Sequence, residues 1–119
     1  MFSTAELEFL AGQVIGRIST LGPSGAPQVR PVGFHVRDDV IEIGGVNLAS
    51  TQKYRNIERD GRVSFIVDDL ASTDPWRPRG VEIRGRAEAA GDAIRIHPEL
   101  IISWGLESPG NVPLSRRVR

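Results

Sequence analysis

The chain has 119 residues, enough for one domain with a single core and too few for two. Its 15 lysines and arginines balance 15 aspartates and glutamates, so no net field draws it to nucleic acid or an anionic membrane. Cysteine is absent, which excludes disulfides, iron–sulfur clusters and thiolate zinc sites, and the two histidines, His35 and His97, stand far apart with no ligand spacing, so no metal site is expected.

The opening segment MFSTAELEFLAG carries acidic residues where a signal peptide needs basic ones. No apolar run reaches the length of a membrane span, so a soluble cytoplasmic protein is expected. Ser3 and Glu6 form a capping-box pair, and Leu7, Leu10 and Ala11 follow on one stripe. Residues 3–11 therefore read as a short helix that Gly12 ends. VIGRISTL (14–21) is rich in β-branched residues and reads as a strand, followed by the turn GPSGAP (22–27). Residues 28–37 alternate: Gln28, Arg30, Val32, Phe34 and Val36 share one face, and Val29, Pro31, Gly33, His35 and Arg37 the other. Asp38 and Asp39 turn tightly into VIEIGG (40–45), so the two strands read as a hairpin. Residues 50–60 break the strand pattern. Ser50 or Thr51 caps a short helix, Tyr54 and Ile57 point inward one turn apart, and Gly61 stops it. RVSFIVDD (62–69) is the next strand, and ASTDPWRPR (71–79) reads as a loop. VEIRGRAEAA (81–90) alternates most cleanly, with Val81, Ile83, Gly85, Ala87 and Ala89 facing one way. AIRIHPELIISWGL (93–106) carries a last strand, interrupted near Pro98. The polar tail 107–119 is expected to lie over the surface or move freely.

The pattern is mainly β: about six strands, two short helices and turn signals at barrel-like intervals. Residues 1–106 form one domain, and a small antiparallel barrel closes it without exposed edges.

No catalytic set stands out. Serines lack a nearby histidine and acid in any motif. Asp38–Asp39 and Asp68–Asp69 are adjacent pairs whose side chains would leave a strand on opposite faces, so both read as turn-formers. His35 reads as a partly exposed barrel histidine, and His97, before Pro98, as a bend residue. Acid–base and nucleophilic hydrolysis are poorly supported. Anion binding fares better. Lys53 is the single lysine among fourteen arginines. It sits in the first turn of the second helix, where the backbone already carries partial positive charge. A cation there marks either a solvated position or a place where an anion is expected. Arg30 shares the apolar face of its strand, so it either needs a partner or reaches solvent at the barrel's mouth. Together with the helix's open N–H groups the two make a phosphate clamp, the lysine as a point charge and the arginine as a fork. Gly44 and Gly45 leave room for a flat ligand against the backbone.

The order of these features resembles a known family. QVRPVGF…VIEI, then STQKYRNIERDGRVSFIVDD, then RGVEIRGRAEA, is similar to the pyridoxamine 5′-phosphate oxidase-like split-barrel superfamily. Within it, the chain resembles the small actinobacterial proteins that use the deazaflavin coenzyme F420. The most specific piece is the run Lys53, Arg55, Asn56, Gly61, Arg62, Val63, and the ending IISWGL (101–106) matches as well. The resemblance implies a six-stranded antiparallel split β-barrel of the FMN-binding type. It also implies a homodimer with a flavin or deazaflavin at the subunit interface. Arg30, Pro31 and Val32 would line the ring and phosphate chain, Ile43 and Gly44 would offer backbone to the ring's polar edge, and Ser50, Thr51 and Lys53 would hold the phosphate. Arg55 and Asn56 match the motif and are either cofactor contacts or struts packing the helix onto the barrel. Trp76, Arg77 and Arg79 are either near the partner's site or a surface loop. Arg116, Arg117 and Arg119 could meet a cofactor's anionic tail.

Two departures qualify the match. The arginine–tryptophan–arginine substrate motif of true pyridoxamine phosphate oxidases is missing, so pyridoxal phosphate synthesis is not expected. Gln52 stands where those oxidases carry a second basic residue for FMN, which favours F420 over FMN as cofactor. The resemblance therefore implies a homodimeric oxidoreductase passing a hydride from reduced F420 to a small organic substrate. The alternatives are an FMN-dependent enzyme of the same fold, or a non-catalytic flavin, deazaflavin or haem binder, with His35 or His97 as the axial ligand for haem. Seven aromatics at core-like positions and zero net charge argue against a nucleic-acid module.

Overall fold

A computed structural model of the chain describes residues 1–106 and 113–118. Helix α1 spans Thr4–Ala11. Ser3 Oγ accepts from the Glu6 N–H at 3.1 Å, and Glu6 Oε1 accepts from the Ser3 N–H at 2.9 Å. Two donors that a helix start leaves open are thereby closed by side chains. Strands β1 (Ile15–Leu21) and β2 (Pro27–Gly33) form the first hairpin across the predicted 22–27 turn. Strands β3 (His35–Arg37) and β4 (Val40–Ile43) form the second. Asp38 and Asp39 make its turn with φ of 52° and 62°, left-handed values that aspartate tolerates better than most residues. The predicted 28–37 strand is thus two strands with different partners, broken at Phe34.

A single 3-10 turn, Leu48–Ser50, leads into helix α2 (Gln52–Arg59). Thr51 caps α2 and accepts from the Tyr54 N–H at 3.4 Å. Strands β5 (Arg62–Thr73) and β6 (Trp76–Ala89) follow. The stretch read as a loop over 71–79 instead extends this hairpin to its tip: Ser72 pairs with Arg77 and Thr73 with Trp76, past a bulge between Leu70 and Ser72. Asp68 and Asp69 are therefore mid-strand residues and not turn-formers, paired with Gly80 and Arg79. Strand β7 covers Ile94–Trp104, and a second bulge lies where Gly85 meets Pro98. Strand β8 (Leu114–Arg117) lies along the second half of β7, so part of the stretch read as a tail belongs to the sheet.

Among the described residues eight strands, not six, make one antiparallel sheet in the order β2-β1-β5-β6-β7-β4-β3, with β8 also on β7. The two end strands are consecutive in the chain, separated only by Phe34. A sheet whose ends are one residue apart must curl until those ends meet, which produces the split barrel. Inside lie Ile18, Ile41, Ile43, Phe65, Val81, Ile83, Ile94, Ile96 and Ile101, with Phe9 and Leu10 of α1 and Tyr54 and Ile57 of α2 plugging the openings. Among the described residues no helix is long and apolar enough to cross a membrane.

Candidate functional site

Asn56 organises the ground beside the site. Its side chain is fully buried on α2. It donates to Thr20 Oγ1 at 3.0 Å on β1 and to Gln28 Oε1 at 2.8 Å on β2, while its oxygen accepts from Gln52 at 2.8 Å and Arg59 at 3.2 Å. Four partners satisfy the whole amide and set where α2 begins relative to the first hairpin. Arg55 closes the same corner from outside, donating to the Ser50 carbonyl at 2.7 Å and to Gln52 Oε1 at 3.1 Å. Both residues thus act as struts within the chain.

The positioned helix start faces a groove of about 570 Å³ lined by Ile18, Thr20, Gln28, Val29, Arg30, Pro31, Thr51, Gln52 and Lys53. Arg30 has inward strand parity, opposite Ile18, yet it is exposed because the barrel is open there. Among the described residues its side chain makes one hydrogen bond, at 3.0 Å, to the neighbouring Val29 carbonyl. Lys53 is half-buried, and among the described residues its side chain makes no ion pair or hydrogen bond. Among the described residues no carboxylate lines the groove. Gln52 and Lys53 occupy the first turn of α2, where backbone N–H groups have no intrahelical acceptor. Two uncompensated cations, helix-start donors and no acid give the groove a positive potential, which complements an anion. Gln52 itself adds no charge, and both ends of its amide are held by Asn56 and Arg55.

The other predicted residues distribute as follows. Thr51 borders the groove, its hydroxyl donating to the Leu48 carbonyl at 2.7 Å, while Ser50 Oγ donates to the Asn47 carbonyl at 2.7 Å. Val32 and Ile43 are core residues. Gly44 opens on free space, with nothing within 4 Å of where a Cβ would stand. Trp76 and Arg77 stand exposed at the β5–β6 tip, away from the groove lining. Arg79 is engaged. It donates to Asp69 at 2.9 and 2.6 Å and lies over the Phe9 ring, 5.1 Å from its centroid. That guanidinium holds the Asp69 carboxyl below its ordinary range. Arg116, expected near the cofactor's tail, is instead bound to Glu6, at 2.9 and 2.6 Å, and to the Met1 carbonyl. Arg117 is exposed on β8, and Arg119 lies outside the described residues. Sequence reasoning missed Thr20 and Gln28 as part of the groove. The available signal was polarity on an inward parity, at Thr20 in β1 and Gln28 in β2.

Comparison with known proteins agrees with this architecture. A family model described as pyridoxamine 5′-phosphate oxidase matches residues 2–99. The chain is 37% identical to a 5a,11a-dehydrotetracycline/5a,11a-dehydrooxytetracycline reductase of Streptomyces rimosus, across 89% of this chain and 84% of that one. Among solved structures, a conserved hypothetical protein of Mycobacterium tuberculosis superposes with a TM-score of 0.74 at 26% identity, covering 88% of this chain and 86% of the other. A structure described as an F420 reductase superposes with a TM-score of 0.60 at 23% identity, covering 76% and 91%, a likeness of fold.

Proposed function

Because the chain belongs to the pyridoxamine 5′-phosphate oxidase family and is an oxidoreductase of that family, we propose that it binds coenzyme F420 at the interface of a homodimer and reduces a small organic substrate. The observation that carries this reading is the groove: Lys53 and Arg30 without acidic partners at the start of α2. Two cations and helix-start N–H groups suit a cofactor phosphate, and the absence of a second basic residue at Gln52 favours the phosphodiester of F420 over the terminal phosphate of FMN. When bound, the reduced deazaflavin supplies a hydride. The chain's part is to bind and orient. Lys53 and the α2 N–H groups hold the phosphate, Arg30 reaches the phosphate chain, and Pro31 and the open backbone at Gly44 give a flat ring somewhere to lie. Among the described residues no aspartate, glutamate or histidine lines the groove.

The homodimer reading draws on the outer face of β1, β2 and β5. Ile15 is 51% exposed and Val29 58%, and Pro31 and Ile66 flank Arg17 in one cross-strand row. This face, whose apolar side chains surround an Arg17–Asp68 ion pair, borders the groove through Val29 and Pro31, so a second copy placed on it would complete the site.

The test is fluorescence titration of the full chain with F420 and with FMN, repeated on Lys53→Ala. F420 should bind in the micromolar range or tighter, and Lys53→Ala should weaken it about tenfold to a hundredfold, the range for one charge-assisted bond. Added salt should weaken the wild type more than the variant. Tighter binding of FMN would move the protein to the flavin branch. Binding of neither, or equal binding by the variant, would end the phosphate reading of Lys53.

A further inference from the structure

A second cavity, of about 560 Å³, lies between α1 and the β3–β4 hairpin and shares no lining residue with the groove. Leu7, Leu10 and Ala11 of α1 form one wall, and Phe34 and Val36 the other. The Phe34 ring is held edge-on against Phe65, centroids 5.2 Å apart, so that wall is firm. Leu7 is 39% exposed, a large apolar side chain left uncovered at the cavity. The volume falls within the roughly 300–1,000 Å³ of small-molecule sites.

The rim is charged with one sign. Asp38 and Asp39 line it, along with His35 and Gln13. The cations that could neutralise the aspartates point elsewhere. His35 Nε2 at 2.8 Å, Arg37 Nε at 3.5 Å and Arg95 Nε at 3.0 Å all converge on Glu42. Gln13 donates to Asp69. Asp39 accepts from the Phe2 N–H at 3.3 Å, and among the described residues neither rim aspartate has a cationic partner. Two carboxylates with no ion pair over an apolar chamber complement a cation joined to an apolar body. Negative charge alone would only hold counterions; the Leu7–Phe34 chamber beneath supplies the selectivity for an organic cation.

We propose that this cavity binds an organic cation, a protonated amine joined to an apolar body of one or two rings.

Three probes with one body test it: 2-(1-naphthyl)ethylamine, 2-(1-naphthyl)ethanol and 1-naphthylacetate, titrated into the ¹⁵N-labelled full chain without cofactor. The amine should shift amides within residues 7–13 and 34–39 and bind about fivefold to tenfold tighter than the alcohol, with the acetate weakest. Asp38→Asn with Asp39→Asn should erase that ranking. Asparagine tolerates the same left-handed backbone and keeps an acceptor for Phe2, so the turn should survive. Lys53→Ala should leave amine binding unchanged, and F420-loaded protein should bind the amine at least as tightly. Equal affinity for all three probes, an unchanged ranking in the double variant, shifts centred on the groove, or mutual displacement of amine and F420 would each overturn the proposal. Because the main titration needs no cofactor, a failure of F420 to bind at all would be seen separately.

Discussion

At the scale of single residues, Asn56 shows how a site is built from a side chain that need not touch the ligand. Its amide ties α2 to β1 and β2 and also holds Gln52. Asn56→Ala would leave buried partners, among them the Thr20 hydroxyl, without their hydrogen bonds. It should destabilise the fold by about 2–4 kcal/mol, read as a lower urea midpoint at unchanged m-value. Cofactor affinity should fall too, although Lys53 and Arg30 remain. Lys53 was legible in the sequence because a lone lysine at a helix start opposes the local field. Asn56 was legible as a motif position but not as a strut. Its partners are 36 and 28 residues away, and no local pattern reports a contact across that distance. Arg30 illustrates the reverse case. Its parity suggested the core, and only the open mouth of the barrel explains why it reaches solvent.

At the scale of elements, α1 and β8 are fastened to each other by one ion pair that joins the two ends of the chain. Glu6 is nearly fully buried and takes two bonds from Arg116 as well as the Ser3 N–H. Burial pushes the Glu6 carboxyl up, but the bonds from Arg116, Ser3 and Ser103 together outweigh it, so the group sits below its ordinary range. A carboxylate with a depressed folded pKa stabilises the protein above its unfolded value, and that contribution is lost as pH falls through the folded value. Stability should therefore decline on acidification below about pH 4.5, the ordinary value for glutamate. Glu6→Gln should be less stable at pH 7 by about 2 kcal/mol and should show a flatter acid limb, both measured as urea midpoints between pH 7 and pH 3. Equal slopes in the two proteins would assign the acid limb to other carboxylates. The capping box was readable from Ser3 and Glu6 alone. The partner of Glu6 was not, because the stretch around Arg116 is short, proline-flanked and polar, with none of the alternation that marks a buried strand. The β5–β6 tip was misread for a related reason. Two prolines, Pro75 and Pro78, normally signal a loop. Here Pro78 pairs with Leu70 next to the bulge, and Pro75 lies in the turn itself.

At the scale of the whole molecule, alternation and turns sufficed for a mainly β barrel with two short helices. They left the strand count two short, because a break at Phe34 and an edge strand in the C-terminal segment depend on which strands pair. The same topology makes the proposed assembly testable. The outer face of β1 carries Ile15 opposite Gly33, in the first hairpin but absent from the groove lining. If a second copy covers this face, Ile15→Glu places a charge in a desolvated interface, where removing it from water costs several kcal/mol. Sedimentation at micromolar concentration should then show monomer where the wild type shows dimer. Thermal stability of the monomer need not collapse, since Ile15 is half-exposed in the single chain and contributes little to its core. The decisive reading is the cofactor. If the partner subunit completes the site, F420 affinity should fall about tenfold or more in Ile15→Glu and recover with protein concentration as dimer re-forms. Affinity that is independent of both the substitution and the concentration would mean that one chain alone holds the cofactor. The groove between β2 and α2 would then be the whole site.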